Sequence, residues 1–484
     1  MSVGKQAAEG VFWTALQNWG SKAASFITFT VLARLLSPKA FGIIALGTVF
    51  VALARVLVDK GFTDAIIQRE NLEDLHVQSA FWVNLGIGVL LILLTWAASS
   101  WIAELFEEPA LGPVVRWLSL IFGIRALNGV QEALFRRDVE FKVLAVAGFS
   151  GVCVGAAFGI TMAYQGYGVW SLVAQQVANQ STYVSILWIA SSWRPSFAFS
   201  LSHAEDLFSF GVGVVGSSIL GFVNRRMDDL LIGAFLGSTA LGYYNIAYRI
   251  LLALTQMISR VGSKVMFPVF SQLQSDSERL REVYYTAVNY MSIVSVPVFV
   301  GLAVLAPYVI PVVFGAKWSA SIPVMQVLSL AGLLQSLIYF NTPVILAKGH
   351  SLVNMSLSTV RAVVNFTAFM IAVQWGGIVT VAALYTIAGY CIAPVELWVV
   401  RSLTKIEWKR YFGAMVYPFV AAMTSALCVL AITTLTDGRV PALGSLVVGG
   451  VTGMLVFVGT LLLLRPTLMS EMRDLWRLAM SKSK

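Results

Sequence analysis

The sequence predicts an all-α polytopic membrane protein with about fourteen transmembrane helices, and its composition is the first reason. Of the 484 residues, 58% are hydrophobic and 12% are charged, and the mean hydropathy is +0.80. A soluble domain carries about 25% charged residues, so this chain cannot cover an ordinary aqueous surface. Recurring apolar runs are the second reason, because helices of about 18 to 25 residues cross a hydrocarbon core of about 30 Å. The runs do not alternate in polarity as barrel strands do.

The predicted spans follow one another through short connections from Val11 to Leu464. They cover residues 11–36, 40–58, 79–101, 112–132, 143–164, 168–192, 207–236, 240–262, 285–310, 321–346, 351–373, 377–400, 411–434 and 442–464. The longest hydrophilic connection runs from Asp59 to Gln78. A connection of roughly 20 residues is too short to hold a separate soluble domain.

Basic residues in the connections predict the orientation, because cytoplasmic loops carry an excess of Lys and Arg. If the N-terminus is cytoplasmic, the cytoplasmic connections and the two chain ends hold 20 of the 33 Lys and Arg residues. The opposite side holds only 5 of them: Arg34, Lys39, Arg116, Lys317 and Arg439. Both termini are therefore predicted to be cytoplasmic.

An internal repeat is the third reason for the predicted architecture. The segment 35–42 (LLSPKAFG) is similar to 235–242 (FLGSTALG), and the Leu-Ser-Leu at 118–120 recurs at 328–330. We expect two pseudo-symmetric six-helix lobes of the same orientation, followed by two further helices. The predicted parts are an N-lobe (1–193, helices 1–6), a cytoplasmic linker (194–206), a C-lobe (207–401, helices 7–12) and a C-terminal part (402–484, helices 13–14 and a cytoplasmic tail). Parallel repeats are typical of transporters with alternating access, although a duplicated channel or scaffold would have the same pattern.

Charged residues inside the predicted spans are the candidate functional residues. A charge at mid-bilayer costs about 2.5 to 3.5 kcal/mol, so it usually faces a cavity or a partner. Eight cations lie inside the spans: Lys22, Arg55, Arg125, Arg225, Arg226, Arg249, Arg260 and Arg361. The acids that accompany them are Glu132, Asp228 and Asp229, with Glu396 near a cytoplasmic end. The predicted interior therefore carries an excess of positive charge.

The cluster at 224–229 is the most informative of these groups. The repeat predicts a turn at Gly237, so Arg225 lies 12 residues before the turn. At about 1.5 Å per residue, this is roughly 18 Å deep in the membrane. Arg225 and Arg226 can each pair with Asp229, at i+4 and i+3. The spacing is consistent both with a structural network within the helix and with a cavity lining that leaves donors for an anion.

The predicted substrate-binding set combines this cluster with the other intramembrane polar residues. It consists of Asn18, Lys22, Arg55, Arg125, Asn224, Arg225, Arg226, Asp228, Asp229, Arg249 and Arg361. Arg55 lies near a cytoplasmic end, where snorkelling to the interface is the alternative. Arginine offers paired N–H groups to paired oxygens, so a cavity of this charge suits a phosphate or pyrophosphate. A cation-coupled drug antiporter would need buried carboxylates instead.

The cysteines and histidines predict neither disulfides nor a metal site. The three cysteines all lie in apolar runs: Cys153, Cys391 and Cys428. The three histidines are scattered in connecting segments without metal-ligand spacing and are predicted to be solvated: His76, His203 and His350. No cofactor is expected, and no glycine-rich nucleotide loop is present. The net charge of +9 arises from Lys and Arg in the predicted cytoplasmic connections and inside the spans. This placement is typical of a membrane protein, so no nucleic-acid partner is expected.

Four groups of residues share the order and spacing of a known family. They are 32–38 (LARLLSP) with Phe41-Gly42, 133–138 (ALFRRD) with 141–142 (FK), 166–173 (GYGVWSLV), and 228–233 (DDLLIG) with 241–244 (LGYY). Together they resemble the Wzx-like polysaccharide-flippase branch of the multidrug/oligosaccharidyl-lipid/polysaccharide exporter superfamily. The resemblance covers essentially the whole chain, and no single motif carries it alone.

The resemblance implies a multi-pass flippase of the bacterial inner membrane. Such a protein moves undecaprenyl-diphosphate-linked oligosaccharide repeat units to the periplasmic leaflet for exopolysaccharide, capsule or O-antigen synthesis, by alternating access through a cationic central cavity. It also implies that Lys22 and Arg55 meet the pyrophosphate, although Lys22 stands where the related lipid II flippases carry Arg. The expected partners are the lipid-linked substrate, membrane lipids and the polysaccharide polymerase or export machinery, and a monomer is expected.

Two alternative functions are compatible with parts of the sequence. One is a drug/cation antiporter of the same superfamily, which would share the fold. The other, from a different class, is a membrane glycosyltransferase or polymerase, which would need an extended loop to hold a sugar-transfer site.

Overall fold

The structure is a computed structural model that describes the backbone at residues 3–69, 71–436 and 440–466. Side chains are described within these ranges except at 3–18, 54–65, 68, 206–221, 223–225, 259–265 and 436. Every regular element in the described ranges is a helix. Nine helical segments among these residues are long and apolar enough to cross a membrane. The chain is therefore an all-α polytopic membrane protein, as predicted, and the number of fourteen crossings stays a prediction.

The helices follow the predicted spans closely and extend beyond most of them. In chain order they are α1 (Val3–Leu35), α2 (Pro38–Gln68), α3 (Asp74–Leu105), α4 (Leu111–Ala126), α5 (Gly129–Arg137), α6 (Phe141–Tyr164), α7 (Val169–Ala190), α8 (Leu201–Gln272), α9 (Ser277–Phe314), α10 (Ser321–Leu337), α11 (Asn341–Ala347), α12 (Ser351–Trp375), α13 (Ile378–Thr404), α14 (Trp408–Thr436) and α15 (Ala442–Leu464). A short 3₁₀ turn, Ala316–Trp318, lies between α9 and α10.

The chain forms two compact units, Met1–Asn245 and Ile246–Lys484. In the first unit, α6 packs against α7 and α1, α3 packs against α4, and α2 packs against α4 and α5. In the second unit, α9 packs against α10, α14 and α15, while α10 and α12 pack against α13. The lobe boundaries at 193 and 207 stay a prediction.

The α6–α7 pair is held together by a row of glycines. Gly151, Gly155 and Gly159 recur every fourth residue, so they lie on one face of α6. A Cβ atom at Gly155 would be 2.6 Å from the carbonyl oxygen of Gln175, and one at Gly151 would be 2.8 Å from that of Asn179. The two backbones are thus in direct contact, which is the usual use of small residues in membrane helices.

The turn predicted between spans 7 and 8 lies at Gly237, where α8 is broken. Gly237 has φ +84° and ψ 169°, a left-handed φ that glycine adopts at little cost. A Cβ at Gly42 would overlap the carbonyl oxygen of Ser238, and a Cβ at Gly242 would overlap that of Pro38. The two repeat segments therefore contact each other reciprocally, through positions that correspond in the repeat.

An ion pair joins the same two segments to the end of α3. Glu108 is buried, and its Oε2 lies 3.1 Å from Nζ of Lys39. The hydroxyl of Ser238 donates to the same carboxylate oxygen at 2.7 Å. Glu108 therefore contacts both repeat segments, 35–42 through Lys39 and 235–242 through Ser238.

The predicted spans 112–132 and 321–346 are each two helices rather than one. The first is broken at the buried Asn128, whose Nδ2 donates to Oε2 of Glu132 at 3.0 Å. The second is broken before the buried Asn341, whose Oδ1 accepts from the hydroxyl of Tyr284 at 2.7 Å. At each break, therefore, a buried asparagine bonds to another side chain.

Candidate functional site

Four of the predicted site residues have side chains outside the described part of the structure: Asn18, Arg55, Asn224 and Arg225. Two more, Lys22 on α1 and Arg249 on α8, are exposed. The remaining five make contacts that the structure resolves: Arg125, Arg226, Asp228, Asp229 and Arg361. Their role in substrate binding stays a prediction, and their geometry is as follows.

Arg226 and Asp229 form the ion pair expected from their i, i+3 spacing. Nη1 of Arg226 lies 2.9 Å from Oδ2 of Asp229, and Nδ2 of Asn245 donates to Oδ1 of Asp229 at 3.0 Å. The Asp229 side chain is 5% exposed, whereas the Arg226 side chain is 40% exposed. The pair uses one nitrogen of a guanidinium that has five N–H donors. A buried acid thus holds an arginine that remains accessible.

Asp228 is buried beside this pair. Its Oδ1 accepts the backbone N–H of Asp229 at 3.0 Å, and its Oδ2 is 3.4 Å from the hydroxyl of Tyr244. Both carboxylates therefore have hydrogen-bond donors from their own helical segments. This satisfies the requirement that buried polar groups be paired.

Arg361 repeats the arrangement in the second unit. It forms an ion pair with Glu396, which reaches it from α13. The Glu396 side chain is 4% exposed and the Arg361 side chain is 41% exposed. The sequence had suggested Glu396 only as an acid near a cytoplasmic end, so the structure adds it to the candidate site as the group that positions Arg361.

Arg125 at the end of α4 reaches across to α7. Its Nη1 donates to Oε1 of Gln180 at 3.1 Å. Glu132, the other acid expected in a span, pairs with Arg136 at 2.6 Å on α5. The bond from Arg125 to Gln180 helps to fix the position of the guanidinium between α4 and α7.

A largely apolar cavity of about 530 Å³ lies between α9, α14 and α15 in the second unit. Its lining includes Leu254, Val298, Val429, Gly450 and Phe457. Gly450 faces open space, since a Cβ there would have no neighbour within 4 Å. Sequence patterns gave no sign of this cavity, because it forms between helices that are far apart in the chain.

The expectation of solvated, separate histidines is wrong for His76. Its side chain is 2% exposed, and its ring packs edge-on against that of His203, with 4.4 Å between the ring centroids. The predicted third span began at residue 79, but α3 begins at Asp74. His76 is therefore in the first turn of a helix, and hydropathy did not reveal this turn because Asp74, His76 and Gln78 alternate with its apolar residues.

Long apolar helices with a few arginines held on buried acids define a polytopic membrane protein with charged groups inside its spans. Comparison with known proteins agrees with this class. The profile of the family described as polysaccharide biosynthesis protein matches residues 31–323. This chain belongs to the polysaccharide biosynthesis protein family. The resemblance inferred from the sequence is thereby confirmed.

Individual relatives and a solved structure extend the match over the whole chain. The succinoglycan biosynthesis transport protein ExoT of Rhizobium meliloti (strain 1021) is 27% identical, over 98% of this chain and 96% of the relative. The lipopolysaccharide biosynthesis protein WzxC of Escherichia coli (strain K12) is 25% identical, over 98% and 97%. The lipid II flippase MurJ, in an inward closed conformation, superposes with a TM-score of 0.75 at 15% identity, over 95% of this chain and 100% of that chain.

These matches decide between the classes that the sequence left open. The relatives are named as a transport protein and a polysaccharide biosynthesis protein, and neither name describes a glycosyltransferase or polymerase. The chain is a transporter rather than a membrane glycosyltransferase or polymerase. At 15% identity the MurJ match supports the fold alone.

Proposed function

We propose that this transporter is a flippase for undecaprenyl-diphosphate-linked oligosaccharide repeat units. It moves them from the cytoplasmic to the periplasmic leaflet of a bacterial inner membrane, where they feed exopolysaccharide, capsule or O-antigen synthesis. The names of ExoT and WzxC support a polysaccharide substrate class. The observation that carries the proposal is the pair of half-exposed arginines, Arg226 and Arg361, each held on a buried carboxylate within an apolar helix.

A pyrophosphate head group fits this chemistry. It presents several anionic oxygens close together, and guanidinium groups bind such oxygens through parallel N–H bonds. A carboxylate beneath each arginine fixes its position before the substrate arrives, which reduces the ordering that binding would otherwise require. Arg125 contributes a third oriented cation, and Lys22, Arg225 and Arg249 complete the proposed basic lining.

The cavity between α9, α14 and α15 suits the prenyl tail of the same substrate. Its volume of about 530 Å³ lies within the range of about 300 to 1,000 Å³ that is common for ligand sites. Its lining is almost entirely aliphatic or aromatic, with Ser425 as a polar exception. Within the bilayer the tail exchanges contacts with lipid for contacts with these side chains, so close van der Waals packing is what favours its binding there.

A drug/cation antiporter is the second candidate function, and the burial of Asp228 favours it. A buried carboxylate next to a tyrosine hydroxyl is a group that could exchange a proton or bind a cation. Against it, Asp229 and Glu396 are both paired with arginines. If antiport were the function, Asp228→Asn would abolish efflux of a cationic dye, and deletion of the gene would leave polymer export intact.

Deletion of the gene in the source bacterium tests the proposal. We expect lipid-linked repeat units to accumulate in the cytoplasmic leaflet and surface polymer to disappear, and wild-type protein should restore both. Arg225→Ala and Arg226→Ala should fail to restore export while inserting normally. A lost hydrogen bond to a charged group costs about 1.5 to 3 kcal/mol, so a loss of roughly 10- to 100-fold in export is expected for each.

Arg410→Ala is the matched control for these variants. Arg410, at the start of α14, also pairs with an acid, Glu282 on α9, but both side chains are about half exposed. It should support export at the wild-type level. Full export by both Arg225→Ala and Arg226→Ala would overturn the assignment of the basic residues, whereas a lack of accumulated lipid-linked sugar in the deletion strain would overturn the flippase function itself.

A further inference from the structure

Three potential metal ligands meet where the first turn of α8 passes the start of α3. They are Glu73, His76 and His203, and one ligand atom from each lies within 4.8 Å of the others. Nε2 of His203 is 3.4 Å from Oε2 of Glu73. Tetrahedral zinc with bonds of about 2.0 to 2.2 Å places its ligand atoms about 3.4 Å apart. The His203–Glu73 distance already has this value, and a shift of about 1 Å brings in a ligand atom that lies nearer the 4.8 Å limit.

The contact between these segments is built by several hydrogen bonds to α3. The backbone N–H of Ser196 donates to Oε1 of Gln78 at 2.7 Å, and that of Ser200 donates to the hydroxyl of Ser79 at 2.9 Å. The indole N–H of Trp82 donates to the carbonyl of Ser196 at 2.7 Å. These bonds hold the segment 196–200 along α3. They also fix the position of His203 next to His76.

His203 is oriented as a metal ligand would be. Its Nδ1 is 2.6 Å from the hydroxyl oxygen of Ser200. If Nδ1 carries the proton and donates it to Ser200, the lone pair of Nε2 points at the Glu73 carboxylate. Two electron-rich atoms facing each other favour a cation between them. Metal-bound histidines usually donate their other N–H to an oxygen in this manner.

His76 supplies the buried side of the cluster. Its Nδ1 accepts the backbone N–H of Glu73 at 3.2 Å, so the lone pair of this nitrogen faces the start of α3. A metal ion can replace this long hydrogen bond. Two imidazoles and one carboxylate favour zinc and neighbouring transition metals over Mg²⁺ or Ca²⁺, which prefer oxygen ligands.

We propose that Glu73, His76 and His203 form a binding site for a divalent transition-metal ion such as Zn²⁺. The bound ion links the first turn of α8 to the start of α3. It links residues that are far apart in the sequence, at the point where the predicted linker 194–206 joins the next helix. The site lies apart from the arginines of the proposed substrate pathway, so its existence does not depend on the proposed function.

Zinc titration of the purified full-length protein tests the site. The protein is kept in detergent, freed of its affinity tag and treated with a chelator before ZnCl₂ is added. We expect a single bound Zn²⁺ ion by elemental analysis and calorimetry, together with a rise in the melting temperature. MgCl₂ at the same concentration should produce neither effect.

Glu73→Gln and His203→Gln test the ligands. Both replacements keep a polar side chain at an accessible position, and size-exclusion chromatography checks folding. We expect each to weaken Zn²⁺ binding at least about tenfold and to abolish the thermal shift. His350→Gln is the control, because His350 is exposed and lies at the start of α12. Wild-type protein that binds no Zn²⁺, equal binding by the two ligand variants, or an equal loss in His350→Gln would each overturn the proposal.

Discussion

At the scale of single residues, the pair of Arg361 and Glu396 illustrates how an arginine is positioned inside apolar helices. Glu396 is buried, and removing a charge from water costs several kcal/mol unless a partner compensates for it. The guanidinium of Arg361 is that partner, yet the Arg361 side chain is 41% exposed. The acid therefore fixes one edge of the guanidinium and leaves the rest accessible to a ligand.

Glu396→Gln removes this charge while it preserves the size of the side chain and an acceptor oxygen. We expect polymer export to fall by roughly tenfold, because Arg361 is no longer held in place. The expected loss of stability is about 1 to 3 kcal/mol, between the values for exposed and buried pairs. Export in the deletion strain and thermal unfolding of the purified protein measure the two effects.

Glu282→Gln is the corresponding change in an exposed pair, since Glu282 contacts Arg410 with both side chains half exposed. It should change neither export nor stability by a measurable amount. Equal behaviour of Glu396→Gln and Glu282→Gln would contradict the positioning role of Glu396.

Sequence distance decides which of these residue contacts could be predicted. Arg226 and Asp229 are three residues apart on one helix, so helical periodicity alone predicts their pair. Arg361 and Glu396 are 35 residues apart, and their contact depends on how α12 packs against α13. His76 and His203 are farther apart still. Neither long-range contact leaves a periodic signal in the sequence.

At the scale of helices, hydropathy predicted the positions of the elements but not their breaks. The Gly237 turn was predicted because its counterpart in the first repeat contains Ser37-Pro38, a helix start signal, and Pro38 does begin α2. The breaks at Asn128 and before Asn341 lie inside the predicted spans 112–132 and 321–346. A single buried asparagine changes the mean hydropathy of such a run very little, so these breaks are visible only in the structure.

The apolar cavity allows a test at the same scale, on α15. Gly450 lines the cavity and faces open space, so Gly450→Leu fits without displacing backbone and fills part of the volume. If the prenyl tail binds there, export should fall several-fold while expression and stability stay near wild type. The rate of polymer export in the complemented deletion strain is the measurement.

Gly459→Leu is a control on the same helix. A Cβ at Gly459 also has no neighbour within 4 Å, but this residue is not part of the cavity lining. Both variants introduce leucine, which is a better helix former than glycine, so they are matched in added volume and in helix propensity. A similar loss of export in both variants, or none in either, would contradict the tail-binding role of the cavity.

At the scale of the whole molecule, the two similar sequence segments 35–42 and 235–242 contact each other in the structure. Gly42 lies against Ser238 and Gly242 lies against Pro38, so equivalent positions of the two repeat segments exchange contacts. A Cβ at either glycine would meet a carbonyl group of the opposite segment. The two contacts are related by the same offset of 200 residues that relates the two sequence segments, as the predicted repeat would require.

The orientation of the molecule in the membrane follows from charge, and α14 offers a direct test. This helix has 29 residues, and at about 1.5 Å per residue its length exceeds the hydrocarbon core, so its ends lie on opposite sides. The asymmetry of Lys and Arg predicts that Lys409, at its start, is cytoplasmic and that Val440, just after it, is periplasmic. Both residues are exposed.

Single-cysteine variants distinguish the two sides, once Cys153, Cys391 and Cys428 have been replaced by serine or alanine. A membrane-impermeant maleimide should label Val440→Cys in intact spheroplasts and Lys409→Cys only after lysis. The opposite pattern would reverse the predicted topology and put both termini in the periplasm. It would also reverse the side from which the proposed substrate enters, because the basic connections would no longer face the cytoplasm where lipid-linked repeat units are expected to be made.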